Sequence, residues 1–272
     1  MVNSYLPTSL KEALDIRARE SVTPYAGGTD LMIKSDENAV YLFLNKVPEL
    51  KKIAEDEQYI RIGAGCTITE ILESKLAPAI LKEAASQFAA PAIRNLGTVG
   101  GNICNGSPKG DSTLIFYATD SKLRLAGSKG ERLLPIAEFF LGGKKTALQE
   151  DELLVEILMN KTGLDNYYYK KIGARNALAI SRVSFAAVLD VDNGRIVNCM
   201  TAFGAVSDVV IRRKDIDGML IGKTIDEAKA VKENYLAAYD QVIVPITGRI
   251  SAEYRKAVCM NLLRDFLESN GI

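Results

Sequence analysis

Two pairs of adjacent glycines constrain this chain more than any other feature of its sequence. Gly27 and Gly28 lie in the segment Tyr25-Ala26-Gly27-Gly28-Thr29-Asp30-Leu31, and Gly100 and Gly101 lie in Gly97-Thr98-Val99-Gly100-Gly101-Asn102. Adjacent glycines permit positive φ angles and let backbone N–H groups approach an anion closely, while a nearby threonine adds a hydroxyl donor. Either pair alone fits an ordinary turn. Together they predict that two segments converge on one large phosphate-bearing ligand, for which a dinucleotide is the best candidate.

The charge and the apolar pattern of the chain exclude several kinds of partner. Lysine plus arginine and aspartate plus glutamate each number 34 among 272 residues, so the formal net charge is zero. A neutral chain has no general electrostatic attraction to nucleic acid or to an anionic membrane surface. No stretch approaches the roughly 20 apolar residues of a membrane span, and the first residues lack the pattern of a signal peptide. We therefore expect a cytoplasmic protein that neither binds nucleic acid nor spans a membrane.

The sequence contains no histidine, which removes whole classes of chemistry. Ser-His-Asp catalysis, Cys-His catalysis and imidazole metal sites are excluded, as is the usual general base near neutral pH. The four cysteines are scattered and form no C-x-x-C pair, so we expect neither a zinc site nor an iron–sulfur cluster on this chain. Any reaction must then depend on other side chains or on a bound cofactor.

Local signals predict a mixed N-terminal region followed by a C-terminal antiparallel sheet. Capping boxes that begin at Ser9 and Thr67 predict two helices. The many glycines and prolines of residues 90–111 predict a long ordered loop without regular structure. Beyond a polar stretch that ends near residue 165, four predicted strands and an Asn193-Gly194 hairpin turn indicate an antiparallel sheet, which two helices follow.

Asp111 lies in a second polar segment, Ser107-Pro108-Lys109-Gly110-Asp111-Ser112. One interpretation is that its carboxylate accepts hydrogen bonds from ribose hydroxyls of the ligand. The alternative is that Asp111 is only the N-cap of a helix through residues 114–117. The residues themselves leave both interpretations open.

Three segments in this order carry a resemblance to a known family: residues 26–31, residues 93–103, and the segment that ends in Asp111-Ser112. They resemble the FAD-binding subunit of the xanthine dehydrogenase family of molybdenum hydroxylases (CO dehydrogenase flavoprotein-like), over the whole chain. The resemblance implies an α+β fold, in which a two-lobed FAD-binding domain of the PCMH/vanillyl-alcohol-oxidase type precedes a smaller domain with an antiparallel sheet and helices. We expect the FAD-binding domain at residues 1–163, with lobes of about 1–55 and 56–163, and the CO-dehydrogenase-flavoprotein-like domain at residues 164–272.

The resemblance also implies which residues hold the cofactor. Residues 25–31 resemble the pyrophosphate loop, and the second glycine segment resembles a loop that grips the FAD phosphates. Asp111 is expected on the ribitol or ribose side. Lys171 is expected near the isoalloxazine, where its charge would stabilise a reduced, anionic flavin; a solvated surface lysine is the alternative. The full expected set, with Phe88 and Leu154 as apolar contacts, is Tyr25, Ala26, Gly27, Gly28, Thr29, Asp30, Leu31, Phe88, Thr98, Gly100, Gly101, Asn102, Asp111, Leu154 and Lys171.

By this resemblance the chain is an electron-transfer subunit. A small partner subunit with two [2Fe–2S] clusters would pass electrons to FAD, a large partner subunit would carry molybdopterin, and FAD would reduce NAD+ or another acceptor. We expect non-covalent FAD, since no histidine is present for attachment, and neither a catalytic side chain nor a metal ligand on this chain. Two alternatives stay open: a self-sufficient FAD-dependent oxidoreductase and a non-catalytic scaffold subunit.

Overall fold

The computed structural model describes residues 4–34, 36 and 38–272, and the chain divides into two compact units. Unit 1 comprises Met1–Ala77, Phe88–Gly106 and Asp120–Lys161. Unit 2 comprises Pro78–Gln87, Ser107–Thr119 and Thr162–Ile272. Two segments from the N-terminal half of the chain therefore belong to the unit that holds the C-terminal residues.

Helices and strands are interspersed along the chain. The helices are α1 (Leu10–Arg19), α2 (Ile68–Glu73), α3 (Ala79–Ser86), α4 (Pro91–Arg94), α5 (Val99–Cys104), α6 (Asp111–Ala118), α7 (Ile136–Phe139), α8 (Lys214–Asp217), α9 (Ile225–Val242) and α10 (Ala252–Ser269). The strands are β1 (Thr23–Tyr25), β2 (Tyr41–Phe43), β3 (Ile53–Glu55), β4 (Tyr59–Gly63), β5 (Lys122–Gly127), β6 (Gly130–Pro135), β7 (Phe140–Gly142), β8 (Lys145–Thr146), β9 (Leu153–Asn160), β10 (Tyr167–Ile172), β11 (Val183–Asp192), β12 (Arg195–Gly204) and β13 (Ile211–Arg212). Short 3-10 helices cover Leu31–Lys34 and Pro48–Leu50. Within the described ranges, no helix has the length and apolar character needed to cross a membrane.

The main sheet of unit 1 has the strand order β3-β4-β9-β5-β6, and every neighbouring pair is antiparallel. Its central strand, β9, is buried on both faces along most of its length. This strand was not predicted from the sequence, because a strand buried on both faces shows a continuous apolar run instead of alternation. A separate parallel pair, β1 with β2, leads into the first glycine segment.

Capping explains where the first helices begin. The Ser9 hydroxyl accepts a hydrogen bond from Glu12 N and caps α1, whose Ala13 and Ile16 are buried in the core cluster of unit 1. Thr67 and Glu70 form a complete capping box at the start of α2. Both predicted helix starts are therefore confirmed.

The prediction of an irregular loop over residues 90–111 is wrong. The segment forms α4 and α5, and α6 begins at its end. Pro91 occupies the first turn of α4, where its missing N–H removes no helical hydrogen bond. The Thr98 hydroxyl caps α5 by accepting a hydrogen bond from Gly101 N at 3.0 Å. Gly100 lies inside α5 because its backbone packs so closely on Ala64 that a Cβ there would lie 2.6 Å from Ala64 Cβ. Tertiary packing thus overrides the helix-breaking tendency of glycine.

Unit 2 is built on an antiparallel sheet in the order β10-β11-β12-β13. The predicted hairpin is confirmed: Asn193 and Gly194 have φ angles of +48° and +77° between β11 and β12. Phe185 and Phe203 belong to the core cluster formed with α9 and α10. Strand residues outside that cluster, such as Ala186, are also buried, and α6 packs against β11 and β12. Helices therefore cover both faces of this sheet.

The core of unit 2 contains a buried carboxylate with several partners. Asp217 accepts hydrogen bonds from the hydroxyls of Tyr235 at 2.8 Å and Tyr239 at 2.7 Å. Thr201 donates its hydroxyl to the same carboxylate at 2.7 Å, and Arg212 forms a buried ion pair with it. Burial raises the pKa of Asp217, while the positive charge of Arg212 and these hydroxyls oppose the rise. The cluster ties β12, β13 and α8 to α9.

Replacing Asp217 by alanine removes the charge that offsets the buried Arg212. We expect Asp217→Ala to lower the free energy of unfolding by about 3–5 kcal/mol, as measured by urea denaturation of the full chain. Asp226→Ala is the matched control, because the Asp226 side chain is 92% exposed and its ion pair with Lys229 lies in solvent. Asp226→Ala should lower the free energy of unfolding by less than about 1 kcal/mol. Equal losses for the two variants would contradict this account of the cluster.

Candidate functional site

The first glycine segment, in unit 1, presents a row of unsatisfied backbone donors. It follows β1 and turns at Gly28, whose φ angle of +68° favours glycine. The N–H groups of residues 26–31 find no hydrogen-bond acceptor among the described residues, although the Gly28 carbonyl accepts from Met32 N at 2.9 Å. The ring of Tyr25 packs against Phe43, with centroids 4.8 Å apart, which fixes the start of the segment. Consecutive unpaired N–H groups of this kind suit an anion.

The two glycine segments come together as the sequence predicts. A Cβ on Gly27 would lie 1.9 Å from Leu96 O, so the two backbones touch directly. A Cβ on Gly97 would lie 3.4 Å from Thr29 Oγ1 and 3.9 Å from Phe88 Cε1. The backbone of the second segment at Gly97 therefore lies close to both Thr29 and Phe88.

The second glycine segment differs from its prediction in one respect. The sequence predicts its N–H groups as donors to the ligand, but Gly100 N donates to Ala64 O at 2.9 Å and Gly101 N donates to Thr98 Oγ1 at 3.0 Å. Those two donors are satisfied within the chain, because they form the capped start of α5. Gly101 is exposed, and a Cβ there would meet only Thr98 Oγ1, at 2.9 Å. Asn102 follows on the same helix, half-buried.

Leu154 occupies a different environment in unit 1. It lies on β9 opposite Leu125 of β5 and is 5% exposed. The structure therefore places Leu154 within the central sheet, and it supplies apolar surface but no polar contact.

In unit 2, Asp111 and Lys171 form a buried ion pair. Lys171 Nζ lies 2.6 Å from Asp111 Oδ2, and the two side chains are 8% and 6% exposed for Asp111 and Lys171 respectively. The interpretation of Lys171 as a solvated surface lysine is therefore wrong. Asp111 is the first residue of α6, while Gly110 is its N-cap, so the N-cap interpretation of Asp111 is also wrong.

Three groups that were not predicted from the sequence complete this cluster. Ser181 Oγ donates to Asp111 Oδ1 at 2.9 Å, and Lys171 Nζ also donates to Gln87 O at 2.9 Å. The hydroxyl of Tyr169 is buried and has no hydrogen-bond partner among the described residues. Burial raises the pKa of Asp111, while Lys171 and Ser181 oppose the rise. The alternation of β10, which puts Tyr169 and Lys171 on one face, was the available sequence signal.

The cysteines contribute no reactive thiolate. Burial raises the pKa values of Cys66, Cys104 and Cys259 to about 12 each, and it raises that of Cys199 as well. Cys104 follows the second glycine segment but is protonated at neutral pH. The thiols are therefore not the source of any chemistry at neutral pH.

Two family models match the chain. The model of the FAD binding domain in molybdopterin dehydrogenase matches residues 1–159, and the model of the CO dehydrogenase flavoprotein C-terminal domain matches residues 167–270. The chain belongs to the family of FAD-binding subunits of molybdopterin dehydrogenases. The family membership that the three glycine-rich and polar segments indicate is confirmed.

Individual relatives of this FAD-binding subunit agree with the family models. A xanthine dehydrogenase FAD-binding subunit from Escherichia coli is 35% identical over 252 residues, which cover 88% of this chain and 84% of that protein. The carbon monoxide dehydrogenase medium chain of Hydrogenophaga pseudoflava is 30% identical over 237 residues, covering 83% and 79%. A chain of reconstituted CO dehydrogenase from Oligotropha carboxidovorans superposes with a TM-score of 0.89 at 25% identity, covering 98% and 96%. The predicted fold class, FAD as the cofactor and the assignment to oxidoreductase subunits are confirmed.

The contact between Gly27 and Leu96 generates a stability prediction. Because an added methyl group would displace the Leu96 carbonyl, we expect Gly27→Ala to destabilise the chain by about 1–3 kcal/mol. Gly248→Ala is the control, since a Cβ there meets only Arg255 Nη2, at 3.7 Å, an ordinary contact distance. Thermal unfolding of the two variants measures the difference. A Gly27→Ala variant as stable as the control would show that the two segments separate without cost.

Proposed function

We propose that this chain binds FAD non-covalently and transfers electrons from [2Fe–2S] clusters on a partner subunit, through FAD, to an acceptor such as NAD+. One observation carries the proposal: the unpaired N–H groups of residues 26–31, beside the second glycine segment, in a chain matched by an FAD-binding family model. When bound, FAD supplies the redox chemistry, since it accepts electrons in pairs or singly.

The residues of the first segment fit a pyrophosphate. A pyrophosphate carries negative charge and several acceptor oxygens, so consecutive backbone N–H groups bind it without any positively charged side chain. Ala26, Gly27, Gly28, Thr29, Asp30 and Leu31 would supply these donors, and Tyr25, the last residue of β1, would begin the segment. Gly27 and Gly28 are required because their Cβ positions are occupied by Leu96 O and the Tyr25 ring.

The remaining expected residues would act in different ways. Thr98 retains its hydroxyl hydrogen for the ligand while its oxygen caps α5, and Gly101 leaves the start of that helix open. Asn102 would add an amide, and Phe88 and Leu154 would add apolar surface. Asp111 and Lys171 remain proposed cofactor residues, and within unit 2 they form an ion pair.

The partner subunits also belong to this proposal. Relatives are named as FAD-binding subunits or medium chains of larger enzymes, which supports an assembly with a molybdopterin-binding large subunit and a small subunit with two [2Fe–2S] clusters. The proposed domain boundary between residues 163 and 164 lies in the interval between the two family models. Four free cysteines support the proposed cytoplasmic location.

An absorption spectrum of the purified chain, followed by acid release of the cofactor, tests this function. We expect flavin bands and about one FAD per chain, as the single-site proposal requires. A colourless chain that takes up no added FAD would reject the proposal.

A valine at Gly101 tests the position of the site. We expect Gly101→Val to bind FAD at least about tenfold more weakly because the start of α5 is covered. Its Cβ would lie 2.9 Å from Thr98 Oγ1, so the cap of α5 must shift, and thermal unfolding checks that the variant still folds. Gly248→Val is the control and should keep its full FAD content. Fluorescence titration with FAD measures both affinities; equal values would remove Gly101 from the site.

A further inference from the structure

A turn at Phe88 and Ala89 in unit 1 is held by an arginine from the helix that follows it. Arg94 is the last residue of α4, and its Nη1 donates to Phe88 O at 2.8 Å and to Ala89 O at 2.9 Å. One nitrogen atom therefore binds two consecutive carbonyls. Because hydrogen bonds from a charged donor are stronger than those between neutral groups, this side chain fixes the turn firmly.

The backbone of the turn needs such support. Ala89 has a φ angle of +36°, in the left-handed region that residues other than glycine rarely adopt. A residue with a Cβ keeps this conformation only where surrounding contacts hold it. The carbonyls of Phe88 and Ala89 belong to the two peptide groups that flank Ala89, so the hydrogen bonds from Arg94 restrain both of its backbone dihedral angles.

The helix that carries Arg94 also leads into the second glycine segment. Gly97 N donates to Ile93 O at 2.6 Å, which joins the segment to α4 by a backbone hydrogen bond. The turn and the glycine segment are thus attached to the same short helix, the turn through the Arg94 side chain and the segment through its backbone. The position of Phe88 relative to Gly97 therefore depends on Arg94.

Phe88 presents an aromatic ring where the two glycine segments meet. Its Cε1 would lie 3.9 Å from a Cβ on Gly97, and Thr29 Oγ1 would lie 3.4 Å from the same point. Thr29 belongs to the row of unpaired N–H groups proposed for the pyrophosphate. Phe88 is half-buried, so part of its ring stays open. A ring beside an anion-binding row offers apolar surface to the uncharged portion of a nucleotide.

We propose that Arg94 is a positioning residue for the cofactor: it holds the left-handed turn at Ala89 so that the Phe88 ring lies against bound FAD. In this proposal Arg94 acts through Phe88 and not through its own charge. The inference rests on the proposed function and concerns only residues of unit 1. It predicts that the effect of Arg94 on FAD affinity requires the phenyl ring.

A double-mutant cycle in the full chain tests this dependence by fluorescence titration with FAD. Arg94→Met and Phe88→Ala should each weaken FAD binding by about tenfold, because each removes the same aromatic contact. In the Phe88→Ala background, Arg94→Met should weaken binding further by less than about twofold. Single effects that multiply to about a hundredfold would show independent action and overturn the inference, and so would a Phe88→Ala variant that binds FAD as the wild type does.

Lysine at position 94 tests whether the two hydrogen bonds matter. A single ammonium near the position of Nη1 can donate to both carbonyls, so Arg94→Lys should bind FAD within about threefold of the wild type. A lysine variant that binds as weakly as Arg94→Met would reject the positioning role. Thermal unfolding checks that the variants fold, and Arg94→Gln replaces Arg94→Met in the cycle if the methionine variant does not.

Arg19→Met is the matched control for the loss of an arginine. Arg19 is exposed at the end of α1, and its Nε donates to a main-chain carbonyl, Asp15 O, at 3.0 Å. Its replacement should leave FAD affinity unchanged. An equal loss of affinity in Arg19→Met and Arg94→Met would overturn the specific role of Arg94.

The failures of the two proposals can be told apart. A wild-type chain that takes up no FAD overturns the proposed function and this inference with it. A chain that binds FAD with an affinity that Arg94→Met leaves unchanged overturns this inference alone.

Discussion

The direct contact between the backbone of Gly27 and the carbonyl of Leu96 is the constraint on which the arrangement of unit 1 depends. No side chain fits between these atoms, so the first glycine segment is held against the second. In this arrangement the N–H groups of residues 26–31 meet no acceptor among the described residues. Glycine at position 27 is thus needed for close packing of the two segments. The N–H groups that are free to bind a ligand depend on that packing.

Unit 2 contains two buried carboxylates that the chain satisfies in different ways. Asp217 has three hydroxyl donors and an arginine, all within the core, and its partners leave little capacity for a ligand. Asp111 has one ammonium and one hydroxyl, and the ammonium keeps a further hydrogen. The cluster around Asp217 stabilises the core of unit 2. The cluster around Asp111 leaves a hydrogen-bond donor without a partner among the described residues, as groups at binding sites often do.

Local signals in the sequence were sufficient for some elements and insufficient for others. The Thr67 capping box and the Asn193-Gly194 turn depend on residues a few positions apart, and both were predicted correctly. α5 was missed because its glycine is stabilised by Ala64, a contact that no local pattern reveals. Ser181 was missed because its partner lies 70 positions earlier in the chain. The glycine segments and Asp111 were found, but the pairing of Asp111 with Lys171 required the fold.

The division of the chain into units has a consequence for biosynthesis. Every residue of α6 is buried, yet α6 belongs to a unit whose sheet and long helices are translated only afterwards. On the ribosome this buried helix is made before the segment Thr162–Ile272 that completes its unit. Until those residues are made, at about 5–20 residues per second, the apolar side chains of α6 lack their partners in the unit, and exposed apolar surface promotes aggregation. For the same reason, no single cut of the gene yields the C-terminal unit intact.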